Sequence, residues 1–174
     1  MVIGDGPEMK KILSKAGANT TIMGFQDFSV LKDMMSSAKA FVFAAEEDFG
    51  ITPVEAMACG TPVIAYGKGG VLDTVVSIDS PSATPTGLFF TEQTPESVCA
   101  AVARFENLEI EILADDCRAR AEMFSAKIFR EEVKFLITNE RFKRANSSLS
   151  SAESSPNDDG NNSSRYTEEL EKSA

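Results

Sequence analysis

The sequence predicts an α/β fold, a parallel β-sheet with helices on both faces. Three observations predict it. Short apolar runs at 40–44, 62–66 and 87–90 do not alternate with polar residues, so both faces of each run are to be buried. Segments with helical period separate these runs. Glycine stands where runs or helices end, at Gly4, Gly17, Gly24, Gly60 and Gly67. In such sheets ligands bind at the carboxyl ends of the strands. The search for a site is therefore confined to the loops 4–6, 24–27, 45–52 and 67–70.

The elements follow in order. Val2-Ile3 reads as the end of a strand. Gly6-Pro7 opens a helix with proline at its first position, Met9, Ile12, Leu13 and Ala16 form its inward stripe, and Gly17 ends it. Thr21-Ile22-Met23 is a short strand stopped by Gly24. A helix covers 29–37, with Val30, Leu31, Met34, Met35 and Ala38 facing inward. A strand at 40–44 leads to a short helix at 53–59, closed by Gly60. The strand at 62–66 precedes a glycine-rich loop, Gly67-Lys68-Gly69-Gly70, and a short helix at 71–76. A last strand at 87–90 is followed by helices at 95–105, 109–123 and 126–142.

Near Asn146 the composition changes. Residues 146–164 hold eight Ser and four Asn, too little apolar area to offset the ordering of the backbone. The chain thus divides into a folded domain, 1–145, and a disordered Ser/Asn-rich acidic tail, 146–174, that carries -4 of the net charge of -10. That charge, with no Lys/Arg cluster, excludes a nucleic-acid groove or an anionic membrane surface as partner. No apolar run reaches the ~18 residues of a membrane span. The first six residues have neither a basic nor an apolar signal region, so the expected location is cytoplasmic. Histidine is absent, which removes His-based triads and His-ligated metals from this chain. Cys59, Cys99 and Cys117 form no CxxC and read as reduced, mostly buried thiols.

One loop combines the residue types of a ligand site. A strand ends near Ala44, and Glu47-Asp48-Phe49-Gly50-Ile51-Thr52 leads into the helix at Pro53. The unpaired N–H groups of Ile51, Thr52 and the first helical turn suit a phosphate. Gly50 allows close approach of a ligand to the backbone. Glu47 and Glu55 bracket the loop eight residues apart, and a carboxylate accepts hydrogen bonds from paired hydroxyls. Phosphate in the middle and a polyol at each end describe a nucleotide sugar. Plainer roles fit the same residues. Thr52-Pro53-Val54-Glu55 is also a capping box, Thr52 as N-cap and Glu55 as its reciprocal partner. Glu47 is equally a solvated loop acid, Phe49 a packing residue that positions the loop, and Met57 and Cys59 core residues of the helix.

In combination these residues resemble a family. Glu47 to Glu55, with Glu55-Ala56-Met57-Ala58-Cys59-Gly60-Thr61-Pro62-Val63-Ile64 after, looks like the E-x7-E signature of retaining GT-B glycosyltransferases, the GT4-type or glycosyl transferases group 1. Val2-Ile3-Gly4-Asp5-Gly6-Pro7, Thr21-Ile22-Met23-Gly24-Phe25, Ala38-Lys39-Ala40-Phe41-Val42-Phe43, Ala65-Tyr66-Gly67-Lys68-Gly69-Gly70 and Thr86-Gly87-Leu88-Phe89-Phe90 are similar to five further motifs of that family, in its order. The wording Ala44-Ala45-Glu46-Glu47-Asp48-Phe49-Gly50 is similar to a bacterial-type mannosyltransferase branch. The resemblance covers residues 1 to 144.

The resemblance implies a hexosyltransferase that moves a hexose, mannose first, from a nucleotide-diphosphate sugar to a glycan or lipid-linked acceptor, with GDP-mannose ahead of UDP-hexose and with no metal or cofactor. It implies that Glu47 is catalytic and holds hydroxyls of the donor hexose. Phe49, Gly50, Ile51 and Thr52 would offer backbone N–H groups to hexose and diphosphate, and Glu55 would bind the ribose. Gly24, Phe25 and Gln26 would lie near the base, and Gly4 and Gly6 would keep the cleft open. Asp48 and Asp73 stand where many members carry Gly and Glu. The family's acceptor-binding domain has no counterpart here, nor does the opening strand and helix of the donor domain, with its Arg and Lys for the diphosphate; Lys68 and Lys39 are the nearest cations. The resemblance therefore implies half of a GT-B fold, N-terminally truncated, Rossmann-like, lacking the central strand of its sheet. A chain of this kind is expected to be inactive alone. The alternative is a non-catalytic nucleotide-sugar-binding module, or remnant, that needs a partner chain. A flavodoxin-like receiver is disfavoured, because no acidic cluster stands at the first strand end.

Overall fold

The structure, a computed structural model, describes residues 1–81 and 84–138. The expected tail at 146–174 and the end of the expected helix at 139–142 lie outside the described residues. The three non-alternating runs form β1 (Phe41–Phe43), β2 (Val63–Tyr66) and β3 (Gly87–Phe90), a parallel sheet in the order β1-β2-β3. Phe41 pairs with Val63, and Val63 with Gly87, so the strands run in step and their carboxyl ends share one edge of the sheet.

The helices of the described residues are α1 (Met9–Lys15), α2 (Phe28–Ser37), α3 (Ile51–Ala58), α4 (Val71–Thr74), α5 (Pro95–Glu106), α6 (Ala114–Glu122) and α7 (Ala126–Thr138). α2, α3, α4 and α6 pack on one face of the sheet and α5 on the other. β2 shows why its run does not alternate. Val63 and Ala65 enter a core with Met35 of α2, Met57 of α3, Val71 of α4 and Cys117 of α6. Ile64 and Tyr66 point the other way, into a core with Leu88, Phe90 and Ala101 of α5. All four β2 side chains are buried, as a strand between two helical layers requires. Thr61 makes a polar tie deep in this packing, its hydroxyl donating to the Met35 carbonyl at 2.5 Å. α5 starts as its sequence predicts, with the Thr94 hydroxyl accepting from the Ser97 N–H and Pro95 in the first turn.

Several expectations are corrected. Val2 and Ile22 form an isolated parallel bridge rather than two strands of the sheet. Nothing pairs with the outer edge of β1 among the described residues, and Val42 there is 45% exposed. α1 begins at Met9, not Pro7, and leaves Ile12 and Leu13 exposed, because a single bridge offers its apolar stripe no sheet to cover. The helix expected at 109–123 begins at Ala114. Glu109-Ile110-Glu111-Ile112 alternates, and an extended segment lets Ile112 pack on the core while Ile110 stays exposed. Of the thiols, Cys117 is buried but Cys99 is exposed on α5. Met1–Ile128 forms one compact unit, and a second begins at Phe129, within α7. No helix among the described residues is long and apolar enough to cross a membrane.

Candidate donor site at the start of α3

β1 delivers the chain into the loop 44–50, at the carboxyl end of the sheet. Gly50 ends that loop with φ 76°, a left-handed conformation that a Cβ would strain. Gly50 is the N-cap of α3, and no side chain caps the helix. The capping box expected of Thr52 and Glu55 does not form. The glycine completes the turn two residues early, so α3 starts at Ile51, and Thr52 is already its second residue. Pro53 falls third, where a helix has no partner for an N–H in any case.

This shift changes the reading of Glu55. It is the fifth residue of α3, in the second turn rather than the first, and out of reach of a capping role. Its half-buried side chain lines two cavities on the flanks of α3. One, of about 210 Å³, also holds Phe28, Leu31 and Lys32 of α2. The other, of about 560 Å³, also holds Phe49, Ile51, Arg118 and Phe124. The N–H groups of Ile51 and Thr52 open the helix and have no intrahelical acceptor, which gives an anion a place between these flanks.

Glu47 is exposed at the carboxyl end of β1. Its backbone carbonyl accepts the Gly70 N–H at 2.8 Å. A Cβ on Gly70 would collide with the Asp48 carbonyl and the Phe49 Cα, so the 67–70 loop lies directly on the 47–49 segment. The Phe49 ring meets that of Phe124 edge-on, with centroids 5.7 Å apart and planes at 72°. Phe49 thus fixes the loop through its ring. Arg118 and Lys68 are among the cations on this side of the sheet. Arg118 shares the cavity of Glu55 and Phe49, with its guanidinium donating to Asp115 at 2.8 Å and to the Cys59 carbonyl at 3.4 Å. Lys68 has its ammonium 5.5 Å from the Tyr66 ring centre, and the Tyr66 hydroxyl, with Glu46 nearby, holds its pKa above the usual lysine value. Lys39 precedes β1 and lines a separate cavity with Glu106 and Glu109, at the opposite end of the strand from Glu47.

Gly4 and Gly24 come together, the Gly4 N–H donating to the Gly24 carbonyl at 2.8 Å. Gly6 donates its N–H to the Asp5 carboxylate, Gln26 donates its side-chain amide to the Met23 carbonyl, and Phe25 is 79% exposed. No hydrogen bond among the described residues links this pair of turns to the 47–55 segment. The connection is α2, which starts just beyond Gln26 and carries Phe28 to the cavity of Glu55. Sequence reasoning missed Arg118, Arg120 and Phe124. They lie on or just after α6, more than sixty residues beyond Glu55, and only the packing of α6 on α3 brings them here.

Known proteins resemble this chain over part of its length. A 2-deoxystreptamine N-acetyl-D-glucosaminyltransferase of Streptomyces fradiae is 35% identical over 92 residues, 49% of this chain and 22% of that protein. An alpha-1,3/1,6-mannosyltransferase of Eremothecium gossypii is 44% identical over 62 residues, 34% of this chain and 12% of that protein. The solved structure of a sucrose-phosphate synthase from Thermosynechococcus elongatus superposes with a TM-score of 0.61 at 25% identity, over 82% of this chain and 38% of that one. The chain thus spans about a fifth or less of these curated relatives. The family of glycosyl transferases group 1 matches residues 1–124, and this chain belongs to it.

Proposed function

We propose that this chain is the donor-binding half of a retaining GT-B glycosyltransferase of GT4 type. In this reading it holds a nucleotide-diphosphate sugar, GDP-mannose ahead of UDP-hexose, in the cytoplasm. The hexose passes to a glycan or lipid-linked acceptor held by a further domain, with no metal or other cofactor, and the sheet is completed by a strand beside β1. One observation carries the reading: Glu47 and Glu55 flank a helix start that Gly50 opens early, which leaves Glu55 free of capping and facing two cavities.

The roles follow from position. The diphosphate lies at the N–H groups of Ile51 and Thr52, where the helix dipole and fixed donors favour negative charge. Glu55 accepts from the ribose hydroxyls and Glu47 from those of the hexose. Gly24, Phe25 and Gln26 lead to the base, and Gly4 and Gly6 keep the approach open. Donors fixed before the reaction stabilise the diphosphate as it leaves, each worth about 3–4 kcal/mol of barrier. Holding an acceptor hydroxyl against the anomeric carbon is worth roughly 7–11 kcal/mol more. That second contribution belongs to the acceptor-binding domain, so this chain alone is expected to bind a donor without transferring it. Calorimetry of the chain with GDP-mannose, UDP-glucose and the free nucleoside diphosphates tests the reading. Saturable binding that Glu55→Gln weakens supports it, and no binding of any of the four refutes it. Labelled transfer by the chain alone, above a Glu47→Ala control, would instead show that it carries the full reaction.

A further inference from the structure

Arg120 makes an unusual set of contacts for a residue near the end of a helix. Its Nε donates to the Thr74 carbonyl at 2.8 Å, and a terminal nitrogen donates to the Asp73 carbonyl. The guanidinium also lies over the Phe124 ring, 5.1 Å from its centre. Among the described residues no carboxylate pairs with it; its donors go to backbone, to the Met123 sulfur and to a ring face. Each of these contacts leads to the same place.

α4 has only four residues, too few to satisfy its own last carbonyls. Arg120 takes those of Asp73 and Thr74. At the other end of α4, the Gly70 carbonyl accepts from the N–H and the buried hydroxyl of Thr74, both at 3.2 Å. Gly70 in turn donates to the Glu47 carbonyl and packs on Asp48 and Phe49. That is the first route from Arg120 to the 47–50 loop. The second runs through aromatic rings, from the guanidinium over Phe124 to Phe124 edge-on with Phe49. One side chain therefore braces the loop from both sides.

We infer that Arg120 is a positioning residue, which sets the 47–50 loop and with it the carboxylate of Glu47 and the start of α3. A flat fork with several donors bonds two neighbouring carbonyls and still presents a face to a ring; an ammonium does not. The consequence for ligand binding rests on the donor-site reading above.

The test uses the full 174-residue chain with Arg120→Gln and Arg120→Lys. Native-state hydrogen exchange is followed at the Gly70 N–H, which bonds Glu47, and at the Val63 N–H, which bonds the Thr86 carbonyl at 3.0 Å inside the sheet. Arg120→Gln is expected to speed exchange at Gly70 at least tenfold while Val63 changes less than twofold, and Arg120→Lys to fall between wild type and Arg120→Gln. Affinity for a nucleotide-diphosphate sugar is expected to drop about tenfold in Arg120→Gln. Unchanged exchange at Gly70, or equal acceleration at Gly70 and Val63 in both variants, overturns the inference, because Arg120 then does nothing local to the loop. Loop exchange that depends on Arg120 in a chain whose wild type binds no nucleotide sugar upholds the brace and removes the donor reading instead.

Discussion

Gly70→Ala probes a contact on which the placement of Glu47 depends. The backbone of Gly70, φ -63° and ψ -16°, suits alanine, so the substitution itself relieves the unfolded chain of about 0.4–1 kcal/mol of ordering entropy. The space does not suit it. The added Cβ would collide with the Asp48 carbonyl and the Phe49 Cα, and backbone atoms cannot rotate away as a side-chain end can. Overpacking of this kind costs about 1–3 kcal/mol, so the clash wins. The midpoints of the two terms leave a net loss of about 1.3 kcal/mol, and at about 3–4 °C per kcal/mol for a unit of this size the expected fall is about 4–5 °C. Gly6→Ala is the control, since nothing lies within 4 Å of a Cβ built there. Thermal unfolding followed by circular dichroism compares the two variants with wild type. A Gly70→Ala chain that melts with wild type would show that the 67–70 loop does not press on residues 47–49. The site geometry built on that contact would then be wrong.

The remaining predictions concern single groups. Glu55→Gln is expected to weaken nucleoside diphosphate binding about 10–150-fold in calorimetry, the equivalent of about 1.5–3 kcal/mol, and to leave the melting temperature unchanged because Glu55 caps nothing. A lower melting temperature with full affinity would make it a structural residue. Glu47→Ala is expected to weaken binding of the sugar nucleotide only; an equal loss for the free nucleotide contradicts its assignment to the hexose. Burial, helped by Asp116, pushes the Cys117 thiol up to about 11. The fold keeps the thiol form, so this stabilisation is complete below the ordinary thiol pKa near 9 and is lost as the pH rises to about 11, a total of about 2–3 kcal/mol. Urea unfolding of Cys117→Ala should accordingly lose that slope, and an equally steep profile would place the effect elsewhere. The Arg104 guanidinium, 2.5 Å from Asp79, holds that exposed carboxyl below its usual range. Its contribution is present above the ordinary carboxylate pKa and is lost as the pH falls through the lowered value. Asp79→Asn should therefore cost under about 1 kcal/mol at pH 7, less at high salt, and progressively less as the pH falls through the lowered value; a gap that does not shrink with falling pH would show that charge is not its source.

The local pattern of the sequence determined the elements that bury themselves on both sides. The runs at 63–66 and 87–90 are continuous in apolar character because two helical layers need them so, and a strand of that kind reads the same in any register. The run at 41–43 reads alike, yet Val42 stays exposed. The start of α5 was equally legible, since Thr94, Pro95 and Ser97 cap within four residues. The turn into α3 was legible as well, because a strand end, a glycine and a helix start are consecutive in the chain. Only the tertiary structure decided what depends on distant partners. Ile12 and Leu13 have helical spacing but no sheet to cover, so their stripe stays in solvent. Thr52 and Glu55 spell a capping box, yet the left-handed turn at Gly50 begins the helix before it. The 47–50 loop is held by Gly70, Phe124 and, through them, Arg120, residues 20 to 77 positions further along the chain. No local propensity carries such a contact, because it exists only once α4 and α6 have packed on α3 against the sheet.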